Sequence, residues 1–232
     1  MANFLTEEII KYASQINDDK DILEFKGRNF KDLDELEWFQ FCKANKTFRE
    51  PGLSSEELVM LHNSIKVYTG SPLTIVETGI CFGVTTRYFV VRNLKYGGEL
   101  HSFETHLRPD FQKAMEEIGL WNQFHVLGHS MKAPWEQNIN FLFIDSEHAM
   151  SDALGEYMRF RVWLTGESMV GFHDTDNCYG VKRAVEIANE IDDLELVGEV
   201  TGRLSAGIKI FKLKGLGQKQ IYYNNLYKNG KL

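Results

Sequence analysis

The sequence of 232 residues predicts an α/β domain built on a mostly parallel sheet, with extra helices at its N-terminus. Two observations favour this class. From Leu73 onwards, short apolar runs rich in β-branched residues alternate with segments whose apolar residues recur at helical spacing. The last two strand-like segments are joined only by the loop at 202–207, which is too short for a parallel crossover. We therefore expect five parallel strands followed by an antiparallel hairpin, with helices on both faces of the sheet.

Residues 1–72 are predicted to be helical additions that pack on the core. Residues 6–16 and 32–44 carry apolar residues at helical spacing. A third helix is expected to begin at Ser54, because Ser54 and Glu57 form a capping-box pair ahead of an apolar stripe. These helices could instead form a lid or a dimer surface, so a homo-oligomer is one of the alternatives that the sequence leaves open.

The core is predicted to span residues 73–215, and residues 216–232 form a tail. Strands are expected at residues 74–78, 99–104, 124–127, 140–144, 168–172, 194–200 and 208–213. Helices are expected between them at residues 85–94, 109–118, 151–164 and 181–191.

Charge and cysteine content argue against several kinds of partner. The formal net charge is −7, and no cluster of Lys or Arg resembles a nucleic-acid footprint. The three cysteines are widely spaced without a CxxC pair, so we expect a reduced compartment and no zinc site built from cysteine. We also expect Cys81 and Cys178 to be unreactive, since the sequence places no base beside them. No apolar run approaches the roughly 18 residues of a membrane span, and the first residues do not resemble a signal peptide. We expect a cytoplasmic protein with neither nucleic-acid nor membrane partners.

The segment TIVETGICFGVTTRYFV, residues 74–90, predicts a loop that binds the negative group of a ligand. A buried strand runs into a glycine loop and then a helix, an arrangement that exposes backbone N–H groups. The residues concerned are Glu77, Thr78, Gly79, Gly83 and, at the helix N-terminus, Thr85 or Thr86. Cys81 takes the middle glycine position, so the GxGxxG fingerprint is absent and bound pyrophosphate is disfavoured. The glycines could alternatively serve only as turn formers.

Glu104 is predicted to bind a ribose. It ends the second predicted strand, where a carboxylate can accept hydrogen bonds from two ribose hydroxyls. The loop and Glu104 together indicate a nucleoside-containing cofactor.

A second group of candidate residues lies at the ends of the fourth and fifth predicted strands. Asp145 and Asp174 should meet at one edge, because a crossover helix joins adjacent parallel strands there. Carboxylate ligands suit a hard cation such as Mg²⁺, which can hold a hydroxyl and lower its pKa. His173 is the third candidate ligand. His148 is the candidate general base, since histidine side chains ordinarily titrate at about pH 6.5.

Each of these assignments has a structural alternative. Asp145 could only cap the following helix, and His173 could be a buried, hydrogen-bonded imidazole. His148 could be an exposed residue of the first turn of that helix.

The core resembles the class I S-adenosylmethionine-dependent methyltransferases in the segments IVETGICFGVTT, GELHSFET, FHVLGHS, FLFIDSEH, SMVGFHDT and GIKIFKL. Within that class it resembles the metal-linked O-methyltransferases of small molecules and sugars, the group of rhamnosyl and macrolide O-methyltransferases and cephalosporin hydroxylase-like proteins. The resemblance covers roughly residues 73–213 and implies a Rossmann-like sheet.

The resemblance also implies roles for individual residues. The methionine end of the cofactor would be lined by Glu77, Thr78, Gly79 and Gly83. Glu104 would bind the ribose, and His129 with Ser130 the adenine edge. There are departures from the family pattern. Cys81 replaces a small residue, His129 stands where the family often has an acid, and His173 stands where an acid often precedes the final aspartate. An imidazole at 173 would shift the metal preference from Mg²⁺ toward Mn²⁺, Fe²⁺ or Zn²⁺.

The predicted reaction is attack of an activated hydroxyl of a small molecule or sugar on the sulfonium methyl of S-adenosylmethionine, assisted by Mg²⁺ or Mn²⁺. A catalytically silent binding module with the same fold is the alternative. A Rossmann-type oxidoreductase is disfavoured by the missing GxGxxG.

Overall fold

The strands and helices alternate along the chain from Leu73 onwards, as the sequence predicts. The computed structural model describes residues 7–17, 19–44, 52–68, 70–202 and 205–214, so the tail at 216–232 lies outside it. The strands are β1 Leu73–Thr78, β2 Gly98–Phe103, β3 His125–Leu127, β4 Ile139–Ile144, β5 Leu164–His173, β6 Leu194–Val200 and β7 Ile208–Leu213. The helices are α1 Glu7–Ala13, α2 Glu35–Lys43, α3 Ser55–Ile65, α4 Val84–Tyr96, α5 Pro109–Glu117, α6 Met150–Phe160 and α7 Tyr179–Ile191.

The strands form one sheet in the spatial order β3-β2-β1-β4-β5-β7-β6. Strands β1 to β5 pair in parallel, whereas β7 is antiparallel to both of its neighbours, β5 and β6. This confirms the predicted parallel sheet with a C-terminal antiparallel hairpin. The carboxyl ends of β1, β2, β4 and β5 therefore lie along one edge of the sheet.

The sixth helix is shorter than predicted. The prediction at 151–164 runs past its end, because α6 stops at Phe160, a 3-10 turn follows at Arg161–Trp163, and Leu164 already begins β5. The hydroxyl of Ser168 donates to the carbonyl of Ile139 on β4 and accepts from the backbone N–H of Thr165. These bonds tie an irregular start of β5 to β4, where the register of the pair shifts. β5 therefore begins at Leu164, four residues before the start predicted at 168.

Side chains on alternate positions of the strands fill two hydrophobic layers. On one face, residues such as Ile75, Phe141 and Phe143 pack with α4 and the N-terminal helices. On the other, Val76, Leu142 and Val170 pack with α6 and α7. This alternation is what a sheet covered by helices on both faces requires.

The N-terminal helices are attached to α4 by buried polar and aromatic contacts. The Arg87 guanidinium, only 2% exposed, donates to the backbone carbonyls of Cys42 and Ala44 at the end of α2. The rings of Trp38 and Tyr88 stack with centroids 4.7 Å apart. The described part of α2 is therefore an integral piece of one hydrophobic layer.

Helix α3 begins as the sequence predicts. The Glu57 backbone N–H donates to Ser54 Oγ, and the Ser54 N–H donates to Glu57 Oε2 over 2.7 Å. This confirms the capping box and fixes the Glu57 side chain at the N-terminus of α3. Among the described residues, no helix is both long and apolar enough to cross a membrane.

Candidate active site

The loop after β1 packs directly against the end of β4. Gly79 has a φ of +83°, and a Cβ there would lie 2.1 Å from the Asp145 carbonyl oxygen. Gly83, at +72°, is the N-cap of α4. Cys81, between them, also adopts a left-handed φ of +47°, although it is not a glycine. The loop thus needs the conformational freedom of glycine at 79, and Cys81 carries backbone strain.

Two predicted cofactor residues in β1 have fully buried side chains. The Glu77 carboxylate accepts hydrogen bonds from the hydroxyls of Thr86 (2.8 Å) and Ser102 (2.6 Å). Burial raises the pKa of the Glu77 carboxyl to about 7, although these hydroxyls partly oppose the shift. Thr78 donates its hydroxyl to Glu156 over 2.8 Å. These side chains bond to the protein, so a role toward the cofactor stays a prediction.

Glu104 follows β2 directly and lies against the glycine loop. Its Oε2 accepts from the N–H groups of Ile80 (3.0 Å) and Cys81 (3.4 Å), and its Oε1 accepts from the His106 N–H (2.8 Å). Burial tends to raise the pKa of this carboxyl, but the backbone hydrogen bonds outweigh it and lower the pKa. The half-buried group is thus held as a carboxylate that keeps acceptor capacity at Oε1.

The two residues predicted to bind the adenine edge, His129 and Ser130, differ in burial. His129 is exposed, whereas Ser130 is buried and donates its hydroxyl to Glu156 over 2.5 Å. Thr85, in the first turn of α4, is also buried. The contribution of these residues to cofactor binding remains a prediction.

Glu156, which was not among the predicted site residues, joins the ends of three strands. This α6 carboxylate is 3% exposed and accepts from the hydroxyls of Thr78, Ser130 and Ser146, which follow or end β1, β3 and β4. A signal was available, because Glu156 is an acid beside Ala153 and Tyr157 on the buried face of an amphipathic helix. An acid in that position needs hydrogen-bond partners.

The predicted metal ligands converge. Asp145, His173 and Asp174 each offer a ligand atom, and these atoms lie within 4.8 Å of one another. His173 Nδ1 is 2.8 Å from Asp145 Oδ1 and 3.5 Å from Asp174 Oδ2. Asp174 adopts a left-handed φ of +59°, which is unusual for a residue other than glycine. Two carboxylates and an imidazole are a suitable donor set for a divalent cation.

His173 is buried among acidic groups. Burial tends to lower the pKa of its imidazole, but Asp145, Asp174 and Glu57 outweigh that effect and raise the pKa well above the usual range. Its Nε2 lies 3.6 Å from Glu57 Oε2 and has no hydrogen-bond partner within the described ranges. A cation held by Nδ1 requires the neutral imidazole, whose Nε2–H then points toward Glu57.

Glu57 was predicted only as a capping residue, yet it also reaches the site. Its Oε1 accepts from the hydroxyl of Ser205 and the N–H of Gly207 in the loop between β6 and β7. The pKa of Glu57 is lowered to about 2, because the nearby positive charge of His173, together with hydrogen bonds from Ser205 and the Ser54 N–H, outweighs the effect of burial. No pattern in the sequence links α3 with this loop.

His148 lies in a loop, which corrects the prediction that it sits in the first turn of a helix. Helix α6 begins at Met150 and its N-cap is Ala149, so the alternative that Asp145 caps this helix is wrong as well. The His148 side chain is 60% exposed, and its Nε2 lies 2.9 Å from Asp174 Oδ2. His148 therefore lies on the solvent side of Asp145, His173 and Asp174. From there its imidazole can accept a proton from a molecule bound at these residues.

Comparison with known proteins agrees with this geometry. Residues 76–175 match a family described as a methyltransferase domain. No curated protein matches the chain by sequence.

Solved structures give the same fold at low identity. The O-methyltransferase TomG from Streptomyces achromogenes, involved in tomaymycin synthesis and solved with SAM, has a TM-score of 0.57 and 16% identity, covering 79% of this chain and 91% of its own. The SAH-bound methyltransferase PaMTH1 from Podospora anserina has a TM-score of 0.54 and 9% identity, covering 92% and 98%.

The strand order, the glycine loop and the matched segment define the class. The fold is that of the class I S-adenosylmethionine-dependent methyltransferases. The chain contains an S-adenosylmethionine-dependent methyltransferase domain.

Proposed function

We propose that the protein methylates a hydroxyl oxygen of a small molecule or sugar with the help of a divalent cation. The observation that carries this proposal is the packing of Gly79 on the Asp145 backbone. The loop that is expected to hold the methionine end of the cofactor and the group formed by Asp145, His173 and Asp174 share one edge of the sheet. The methyl donor and the hydroxyl acceptor would therefore lie side by side.

The chain's contribution to the reaction is mainly alignment. Glu104 would accept hydrogen bonds from the ribose hydroxyls, while the loop from Gly79 to Gly83 would border the methionine end. The N–H groups of Gly79 and Gly83 donate to the backbone and those of Ile80 and Cys81 to Glu104, so the loop would act mainly through its shape. His129 and Ser130 would border the adenine. When bound, S-adenosylmethionine supplies an electrophilic methyl group, and a divalent cation lowers the pKa of the acceptor hydroxyl. Holding both reactants in line can account for much of the rate.

His148 would take the proton from the acceptor hydroxyl. It is exposed toward solvent, so it can pass the proton on, and its contact with Asp174 orients the imidazole beside the cation ligands. The donor set of two carboxylates and one imidazole favours Mn²⁺ as well as Mg²⁺. The structural similarity to the O-methyltransferase TomG supports oxygen as the acceptor atom.

Methyl transfer from labelled S-adenosylmethionine to a library of hydroxyl compounds tests this proposal. We expect transfer that disappears after exhaustive chelation and returns with Mg²⁺ or Mn²⁺. Mn²⁺ binding, followed by electron paramagnetic resonance, should be lost in Asp145→Asn and retained in Asp152→Asn, an acid at the start of α6. Transfer that persists fully without metal contradicts the role of the cation. Cofactor binding without transfer to any acceptor would favour a catalytically silent module.

A further inference from the structure

A second group of metal-binding side chains lies beside the predicted cation ligands. His148, Asp174 and Cys178 each offer a ligand atom, and these atoms lie within 4.8 Å of one another. The cluster contains one imidazole nitrogen, one carboxylate oxygen and one thiol sulfur, whereas the group of Asp145, His173 and Asp174 contains no sulfur. A thiolate with an imidazole is typical of Zn²⁺ sites.

The fold brings these residues together through a close backbone approach. Gly180, in the first turn of α7, packs against the loop before α6, and a Cβ there would lie 2.3 Å from the His148 carbonyl oxygen and 2.6 Å from the Met150 nitrogen. Only a glycine allows the two segments to lie so near. On the other side, the Cys178 N–H donates to the Asp174 carbonyl over 3.0 Å, which closes the turn carrying both ligands.

The ligand spacing is close to that of a tetrahedral ion. His148 Nε2 and Asp174 Oδ2 are 2.9 Å apart. With bond lengths of about 2.0–2.3 Å, ligand atoms around Zn²⁺ lie roughly 3.3–3.8 Å from one another. All three ligand atoms lie within 4.8 Å of one another, so small side-chain rotations are enough to reach this spacing. His148 is 60% exposed, which leaves room for water as the fourth ligand.

We propose that His148, Asp174 and Cys178 form a second, inhibitory site for Zn²⁺. On binding, the Cys178 thiol loses its proton to solvent and the sulfur forms a bond to the ion. The site uses Asp174 Oδ2, the oxygen that also lies 3.5 Å from His173 Nδ1. Zn²⁺ there withdraws Asp174 and His148 from the proposed reaction. Zinc binding is independent of the proposed function, and only the inhibition rests on it.

This assignment revises the expectation that no cysteine takes part in a zinc site. Sequence spacing places Cys178 and His148 on different sides of β5 in the chain, without a CxxC pattern. The contact between Gly180 and the His148 loop is what brings them together.

Co²⁺ spectroscopy tests the site without relying on activity. Bound Co²⁺ should give a near-ultraviolet thiolate charge-transfer band in the reduced wild-type protein. The band should be lost in Cys178→Ser and retained in Cys81→Ser, which removes the other thiol that is not fully buried. It should also persist in Asp145→Asn, because Asp145 belongs only to the first group. A wild-type protein without the band, a band that survives Cys178→Ser, or a band lost in Cys81→Ser would overturn the proposal.

Zn²⁺ affinity and inhibition complete the test. Competition with a chromophoric chelator measures the Zn²⁺ affinity, which should fall by more than about 10-fold in Cys178→Ser. Loss of a residue that only supports a metal ligand already lowers metal affinity by about 10-fold, so loss of a ligand should lower it further. Mn²⁺ binding should be unchanged in this variant. If Mn²⁺ fails to bind even the wild-type protein while the Co²⁺ band is present, the proposed function fails and the zinc site stands. If Cys178→Ser leaves Zn²⁺ inhibition intact, the inhibitory role fails.

Discussion

His173 Nδ1 lies 2.8 Å from Asp145 Oδ1 and so joins the ends of two adjacent parallel strands. Asp145 follows β4, and His173 is the last residue of β5. In the absence of a cation, the positive charge of the imidazolium holds the carboxylates together. Asp145, His173 and Asp174 are also the proposed ligands of a divalent cation, so such a cation would compete with the proton for His173 Nδ1.

Glu104→Ala should weaken the binding of S-adenosylhomocysteine by about 1.5 to 3 kcal/mol, the scale of hydrogen bonds to a charged group. The reason is that its carboxylate lies beyond the end of β2, against the glycine loop. Isothermal titration calorimetry measures the change. Glu99→Ala, at the opposite end of β2, is the matched control and should bind normally. Unchanged affinity in a folded Glu104→Ala protein would remove this residue from the ribose site.

His148→Ala should lower kcat by about 10²- to 10⁴-fold and leave cofactor binding nearly intact, as expected for loss of a positioned base. The acidic limb of the pH–rate profile should also move or disappear. His125→Ala, another exposed histidine on β3, should retain its rate. If the cation alone makes the hydroxyl acidic enough for water to take the proton, His148→Ala will keep most of its rate and its pH profile.

Glu77 should make the protein less stable as the pH rises. Its pKa is about 7 in the folded state against a reference of 4.5. The stabilisation is therefore complete below pH 4.5 and is lost as the pH rises through 7. At 1.36 kcal/mol per pKa unit, the loss is about 3 kcal/mol.

Urea unfolding of the wild type and of Glu77→Gln between pH 5 and pH 8 measures this effect. Glutamine does not titrate, so the variant should show a much smaller slope of the free energy of unfolding against pH. Glu99→Gln, an exposed acid on β2, should keep the wild-type slope. Equal slopes in all proteins would mean that Glu77 titrates normally.

Arg87→Met should destabilise the protein by at least about 2 kcal/mol, because the buried carbonyls of Cys42 and Ala44 both lose their donor. Urea unfolding at neutral pH measures the change. Arg183→Met, on the exposed face of α7, should alter stability by less than about 0.5 kcal/mol. A similar small effect at Arg87 would show that α2 is held by its aromatic contacts alone.

Local patterns in the sequence were sufficient to predict most of the fold. The short loop before Ile208 identifies the hairpin, and the parallel strand ends bring Asp145 and Asp174 together. The predicted start of the fifth strand was wrong, because the bond from Ser168 to Ile139 ties an irregular segment that begins at Leu164 to β4. Glu156 could have been found from its place on an apolar helix face.

Other parts of the site depend on contacts between distant segments. The Glu57 carboxylate meets Gly207 across 150 residues of chain, and no periodicity encodes such a pair. In the same way, His148 lies near Cys178 only because the loop before α6 packs against Gly180. These features are properties of packing, which a pattern of residue types does not specify.

The position of β7 makes completion of the site a late event in folding. Strand β7 is the last in the chain, yet it lies between β5 and β6. Until it inserts, β6 has no neighbour in the sheet, the edge of β5 is open, and Glu57 lacks its bond to Gly207. The bond between Glu57 and Gly207 joins distant parts of the chain, and such contacts are slow to form. The edge that carries the proposed site should therefore be completed only after the hairpin is made. In a nascent chain whose β7 segment is still inside the ribosome, the glycine loop could form, but the proposed cation site would be incomplete.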